Sequence, residues 1–235
     1  MVERLVDTFE VISRTCADLM AAQVRENPRS VLCLATGGSP LEAYRLFART
    51  VCAEGIDLSA VTFVKLDEWH GPSMDDPSTC EAFLQRELYG PLGIRPEQTV
   101  SFDSQAADPE AECGRVAAML GQLGGIDLCI LGLGRNGHLG LNEPGRSLRV
   151  SAHVAQLAPQ TREHAMLRET TCEVTRGMTL GMGDLIDARH IVMMVAGEGK
   201  ETAYRGMLAG TVTTENPSSL LQLAARVTVL SAIGM

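Results

Sequence analysis

Three groups of residues in this sequence have the types and spacing for proton-transfer chemistry on an anionic ligand. The first is a glycine-broken loop, Gly132-Leu133-Gly134-Arg135-Asn136-Gly137-His138, which follows the apolar run 126–131 and leads to Glu143, five residues beyond the histidine. An imidazole beside a carboxylate can shuttle a proton, because the carboxylate orients the ring and stabilises its charge. Asn136 adds an amide to the same loop. The second is Asp67, in Leu66-Asp67-Glu68-Trp69, at the end of the apolar run 61–66. A helix cap or a partner for Lys65 would be its plainer roles. The third is Thr36-Gly37-Gly38-Ser39-Pro40, which closes the run 30–35. Ser39 suits an N-cap, Pro40 the first helical position, and Glu42 completes a Ser-x-x-Glu capping box. Free N–H groups and the helix dipole then favour an anion in front of that loop.

The elements that must position these groups follow from hydrophobic periodicity. Helical spacing covers 5–25, 41–51, the stretch from Ser78 towards Tyr89, 108–122, 175–188, 201–208 and 218–224. A second capping box, Ser78-Thr79-Cys80-Glu81, starts the third of these. Short apolar runs at 30–35, 61–66, 126–131, 190–196 and 226–230 read as buried strands, with 150–157 a weaker candidate. Strands alternating with helices predict a mostly parallel sheet with helices on both faces, a three-layer α/β/α Rossmann-like fold. Ligands of such sheets bind at the carboxyl ends of the strands, where all three groups are expected. No linker divides the 235 residues, which are expected to form one domain, 1–235.

Composition narrows the function. A net charge of −9 argues against a nucleic-acid partner, which demands clustered Lys and Arg. No long apolar run or secretory leader is read, so neither a membrane partner nor export is expected, and the cytoplasm is the expected location. The seven cysteines are scattered, never form CxxC, and read as small core residues in a reducing compartment. The five histidines never pair at ligand spacing, so no metal is expected. Gly132 to Gly137 is literally G-x-G-x-x-G, but Pro144 stands where the helix of a dinucleotide site should run, and 150–160 contains no acidic residue. Lys200, in Gly197-Glu198-Gly199-Lys200, lacks the glycine spacing of a Walker loop.

The four blocks Thr36 to Pro40, Leu66 to Trp69, Gly134 to His138 with Asn142-Glu143-Pro144, and Gly197 to Lys200 occur in the order and spacing of the glucosamine-6-phosphate deaminase family, which the chain resembles over nearly its whole length. Phe63 to Trp69, Thr79-Cys80-Glu81 and Val174 to Gly181 resemble its galactosamine-6-phosphate deaminase/isomerase branch most. The resemblance implies a cofactor-free conversion of a hexosamine 6-phosphate, galactosamine 6-phosphate first, to a ketose 6-phosphate, then tagatose 6-phosphate, with release of ammonia. The alternative is glucosamine 6-phosphate giving fructose 6-phosphate. By similarity Asp67 is the base that moves a proton between C2 and C1, and His138, oriented by Glu143, opens the sugar ring. Thr36, Gly37, Gly38, Ser39 and Lys200 match the phosphate cradle. An arginine is expected there too, from Arg162, Arg168 or Arg176, with Arg176 preferred. Many members have Asp where this chain has Asn136, which leaves Glu143 to orient His138. A homo-oligomer stays open, and no allosteric activation by an N-acetylated sugar phosphate is expected, because His153 and Ala155 replace the family's cations. A related lactonase would carry Asp in Gly-x-Asp-Gly-His and an apolar-Phe-Pro sequence in place of Asn142-Glu143-Pro144. A non-catalytic sugar-phosphate sensor would need a DNA-reading module that the sequence lacks.

Overall fold

Strands Val31–Leu34 (β2), Leu128–Gly132 (β6), His190–Val195 (β9) and Val227–Ser231 (β10) are apolar almost without alternation, as strands covered on both faces must be. The computed structural model describes residues 2–170 and 172–233. With Val2–Val6 (β1), Thr62–Lys65 (β3) and Thr99–Val100 (β5) they form a seven-stranded parallel sheet in the order β1-β10-β9-β6-β2-β3-β5. One face, with Leu32, Leu34, Leu128, Ile130 and Val192, packs against Phe9–Glu26 (α1) and Leu41–Glu54 (α2). Cys80–Leu84 (α3) runs on through a π-helical turn into Gly90–Leu92 (α4), and together they close the same face. The other face, with Cys33, Cys129, Leu131, Ile191 and Met193, packs against Pro109–Gln122 (α5) and later helices. Cys33 and Cys129 are fully buried neighbours across β2 and β6, small core residues as expected.

The strand order reverses between β2 and β6. From β2 the chain builds towards β5 on one side, then returns to β6 on the other and continues to β10. The loops after β2 and β6 therefore diverge at a switch point, which opens a crevice at the carboxyl ends of the strands.

A second sheet covers that end. After Lys65 the chain turns into Asp67–Trp69 (β4), which pairs antiparallel with Arg176–Thr179 (β8), and β8 pairs with His153–Gln156 (β7). Asp67 is opposite Thr179. This sheet corrects the helical reading of 175–188, where helix is confined to Met182–Ile186 (α7). The glycines that looked like helix spacers are close-approach points. A Cβ on Gly177 would stand 2.7 Å from the Glu68 carbonyl oxygen, so only glycine lets β8 cross β4 here.

Three further expectations change. Residues 2–6 are an edge strand rather than the start of a helix, with Leu5 beside Leu230 and the Asp7 N–H bonded to the Ser231 carbonyl. The helix begins after Thr8, whose hydroxyl accepts the Val11 N–H. Ser39 does not cap α2, which starts at Leu41 without a side-chain cap, while Glu42 pairs with Arg49. The cap of α3 is Thr79 rather than Ser78, whose hydroxyl donates to Asp76, and Glu81 turns to Lys65 instead of closing a box. Pro159–Arg162 (α6) and Glu201–Leu208 (α8) complete the helices used below.

Candidate active site

Each candidate side chain hangs from the end of a parallel strand or from the loop that leaves it. His138 lies in the loop after β6, with its ring against Gly134, where any Cβ would overlap the imidazole. Its Nδ1 is 3.4 Å from Glu143 Oε2. Asn136 donates from Nδ2 to the same oxygen at 2.8 Å and accepts the His138 N–H at 3.2 Å. Glu143 Oε1 accepts from the Thr161 hydroxyl in α6 and from the Ala158 N–H at 3.3 Å. Burial alone would push the Glu143 carboxyl up, but its contacts with His138, Thr161 and Asn136 outweigh that and hold it at about 2. Glu143 is therefore an anion that faces Nδ1, which the Thr161 hydroxyl also approaches at 3.4 Å. Asn136 thus acts on the imidazole through Glu143 as well as through the backbone.

Asp67 is 8 % exposed at the start of β4. Burial, then the neighbouring Glu68 charge, push its carboxyl up to about 7, against the opposing pull of His138, the Cys80 thiol and Lys65. That is the poise of a general base near neutral pH. Asp67 is not the partner of Lys65. The Lys65 ammonium, wholly buried, binds Glu68 at 2.8 Å, Glu81 at 2.9 Å and the Phe102 carbonyl at 3.0 Å. Burial works against this charge, but the two carboxylates prevail and raise it above the usual ammonium range. Glu68 in turn accepts the N–H groups of Trp69, Cys80 and Glu81. The network locks β4 to α3 and fixes the backbone that presents Asp67.

The candidate phosphate-binding residues sit on two glycine loops. Gly37 takes φ +99°, and Ser39 Oγ accepts from Lys200 Nζ at 3.4 Å. Burial, and then the like charge of Arg135, bring Lys200 down to about 8. Arg135 is the cation the sequence reading missed: a Cβ on Gly199 would lie 3.7 Å from its Nε, so it borders the Lys200 loop. Arg176 is exposed and donates to His70 Nδ1 at 3.3 Å, Arg162 donates to the Leu157 carbonyl at 3.1 Å, and Arg168 is exposed. The Thr36 hydroxyl donates to Cys80 Sγ at 3.1 Å. His164 sits beside Gly37, its Nε2 3.6 Å from a Cβ built there, with its ring tilted against Trp69. Arg135 lies inside a loop the sequence marks, but its neighbour is 64 positions on, and no local spacing announces such a contact.

Among the described residues no cluster of three or more His, Cys, Asp or Glu could hold a metal, and no helix is long and apolar enough to cross a membrane. A cavity of about 150 Å³ lined by Glu143, Arg149 and His153 lies behind the proton-shuttle loop and contains neither Asp67 nor Lys200.

The fold and the site define an α/β protein that gathers a buried carboxylate, an imidazole–carboxylate pair and two glycine loops with a lysine at the carboxyl ends of its parallel strands. Residues 6–230 match the family described as glucosamine-6-phosphate isomerases/6-phosphogluconolactonase, and the chain belongs to that family. It is 44 % identical over 218 residues to a protein of Escherichia coli (strain K12) named as the putative deaminase AgaI, covering 93 % of this chain and 86 % of that one. It is 37 % identical to the glucosamine-6-phosphate deaminase of Geobacillus sp. (strain WCH70), covering 95 % and 90 %. The solved structure of a monomeric glucosamine-6-phosphate deaminase superposes with a TM-score of 0.92 at 34 % identity, covering 98 % and 96 %. The 6-phosphogluconolactonase of Trypanosoma cruzi shares the fold, with a TM-score of 0.80 at 17 % identity.

Proposed function

We propose that this chain is a hexosamine-6-phosphate deaminase/isomerase, with galactosamine 6-phosphate as substrate and tagatose 6-phosphate and ammonia as products. The reading is carried by one observation: Asp67, a buried carboxylate poised near neutrality, shares a crevice with the His138–Glu143 pair and with Ser39 and Lys200. The relatives named as deaminases support it.

The chemistry follows from the arrangement. The 6-phosphate sits on the N–H groups of Gly37 to Ser39, on Lys200 and on Arg135, which supplies the cation expected from Arg176. Anchored there, the sugar places its ring oxygen and C1–C2 bond over the two proton-transfer groups. His138, through Nε2, passes the proton of the anomeric hydroxyl to O5, so that the C1–O5 bond breaks and C1 becomes the aldehyde. Asp67 takes the C2 proton, the electron pair moves through C1 to O1, which takes a proton from His138 to give an enolamine, and Asp67 returns its proton at C1. The resulting C2 imine adds water and expels ammonia, so one water is consumed per ammonia released. Glu143 holds the imidazolium, and Asn136 holds Glu143.

Glucosamine 6-phosphate giving fructose 6-phosphate is the second reading, favoured by the name of the 37 % identical relative. A coupled ammonia assay with both epimers side by side separates the two. D67N should release no ammonia while still binding the phosphosugar. Absence of ammonia from both epimers with the parent enzyme, or turnover surviving in D67N, refutes the proposal.

A further inference from the structure

The group that faces the Asp67 carboxylate is a thiol. Cys80 Sγ lies 3.7 Å from Asp67 Oδ1 and is the donor in that contact. Among the described residues it is the one hydrogen bond to that carboxylate, and Oδ2 accepts none. Cys80 Sγ also accepts from the Thr36 hydroxyl at 3.1 Å, and Thr36 opens the glycine loop of the phosphate cradle. A chain of two hydrogen bonds therefore runs from that loop to the base.

Cys80 is held where it can do this. It is the first residue of α3, 2 % exposed, and its N–H donates to Glu68 Oε1 at 2.9 Å. The Thr79 hydroxyl caps the helix by accepting the Ala82 N–H at 3.0 Å. Glu68 is in turn fixed by Lys65. The backbone of the donor and the backbone of the base are thus joined by the same buried carboxylate.

The thiol is in the wrong state for other chemistry. Burial first, then the charges of Glu68 and Asp67, push it well above the usual thiol range, so it remains protonated. A protonated thiol is a donor, not a nucleophile or a metal ligand. A general base with two free oxygens samples several rotamers, and one oxygen tied to a fixed donor restricts it to the productive one.

Resting on the deaminase reading, we propose that Cys80 is a positioning residue for the isomerisation base: its thiol anchors Oδ1 of Asp67, leaves Oδ2 for the C2 proton, and links the base to the phosphate loop through Thr36. The charged and titratable groups around Asp67 are Glu68 on β4, Lys65 on β3, Cys33 on β2, His138 on the loop after β6 and Cys80 on α3. Of these the two thiols can be changed without altering a charge, and Cys80 is the one that donates to Asp67.

The test compares C80A and C80S in the full chain, reading kcat and KM against pH with the hexosamine 6-phosphate turned over. In C80A the ionised form of Asp67 loses its donor, so the acid limb of kcat/KM should move up by about one pH unit. Its kcat should fall about tenfold at neutral pH while KM stays within about twofold. C80S keeps a donor and should restore both the limb and most of kcat. A mere core filler predicts a limb that does not move, or a serine variant as impaired as the alanine one, and either result overturns the proposal. The titration of Asp67 followed by carboxyl-carbon NMR gives a second readout free of turnover. If the parent enzyme released no ammonia, the functional reading would fail, but an upward shift of that titration in C80A alone would still support the contact. An unshifted titration would remove it.

Discussion

Replacing Lys65 with methionine tests the network that presents the base. The change removes three contacts, to Glu68, Glu81 and the Phe102 carbonyl, and leaves two carboxylates without their cation, one fully buried and one partly exposed. Deleting one partner of a buried ion pair costs about 3–5 kcal/mol. Glu68 keeps three backbone N–H donors, which places the expected loss near the lower end, about 3 kcal/mol. For a chain of this size that corresponds to a fall in Tm of roughly 6–12 °C. The pH dependence has a definite sign. In the parent, burial would raise the Glu81 carboxyl, but Lys65 outweighs it and holds the carboxyl below its usual value. The stability this represents is present above the unfolded carboxylate value and lost as pH falls through the lowered one, so the deficit should be smaller at pH 4 than at pH 8. Urea unfolding of parent and variant at both pH values measures it. Substituting Glu68 and Glu81 by glutamine in the same variant should recover part of the loss, because the unpaired charges go. A K65M deficit under about 1 kcal/mol at pH 8, or one equal at both pH values, would refute the argument.

Four shorter expectations concern the site. Because burial and Glu68 hold Asp67 at about 7, kcat/KM should fall tenfold per unit as pH drops below about 7, and a limb at the ordinary carboxylate value would show the base to be elsewhere. The same ionisation costs stability, so D67N should gain in Tm relative to the parent as pH rises from 4 through 7, with a constant difference contradicting the burial argument. H138Q should impair turnover of the ring-closed sugar far more than of an open-chain analogue, and equal losses would remove His138 from ring opening. R135M should raise KM for the phosphosugar about tenfold or more, with R176M changing it little; the reverse ranking would return the phosphate arginine to β8.

Much of the fold was legible because it rests on local signals. Runs such as 30–35 and 126–131 are too apolar for one-sided strands and too short for buried helices, and the alternation with helices leaves a doubly covered parallel sheet as the consistent arrangement. Where two periods fit the same residues, neighbours decided. Leu5 and Val6 suit a helix or a strand equally well, and the free edge of β10 took them. The stretch 175–188 was misread because its glycines answer to backbone on other segments, Glu68 for Gly177 and Ser151 for Gly181.

The site divides in the same way. The sequence by itself singled out the candidate groups, Asp67, His138, Glu143 and the Gly37 to Ser39 turn, since each stands at the end of an apolar run or inside a glycine break that marks where a strand delivers its loop. Tertiary structure alone decided what surrounds them: Arg135 against Gly199, Thr161 on Glu143, Lys65 between two carboxylates, and Cys80 on Asp67. The physical reason is range. A residue's type and its strand position are set within a few neighbours, but the desolvation and charge that tune a carboxylate come from side chains brought within about 4 Å from distant parts of the chain, and only folding brings them there.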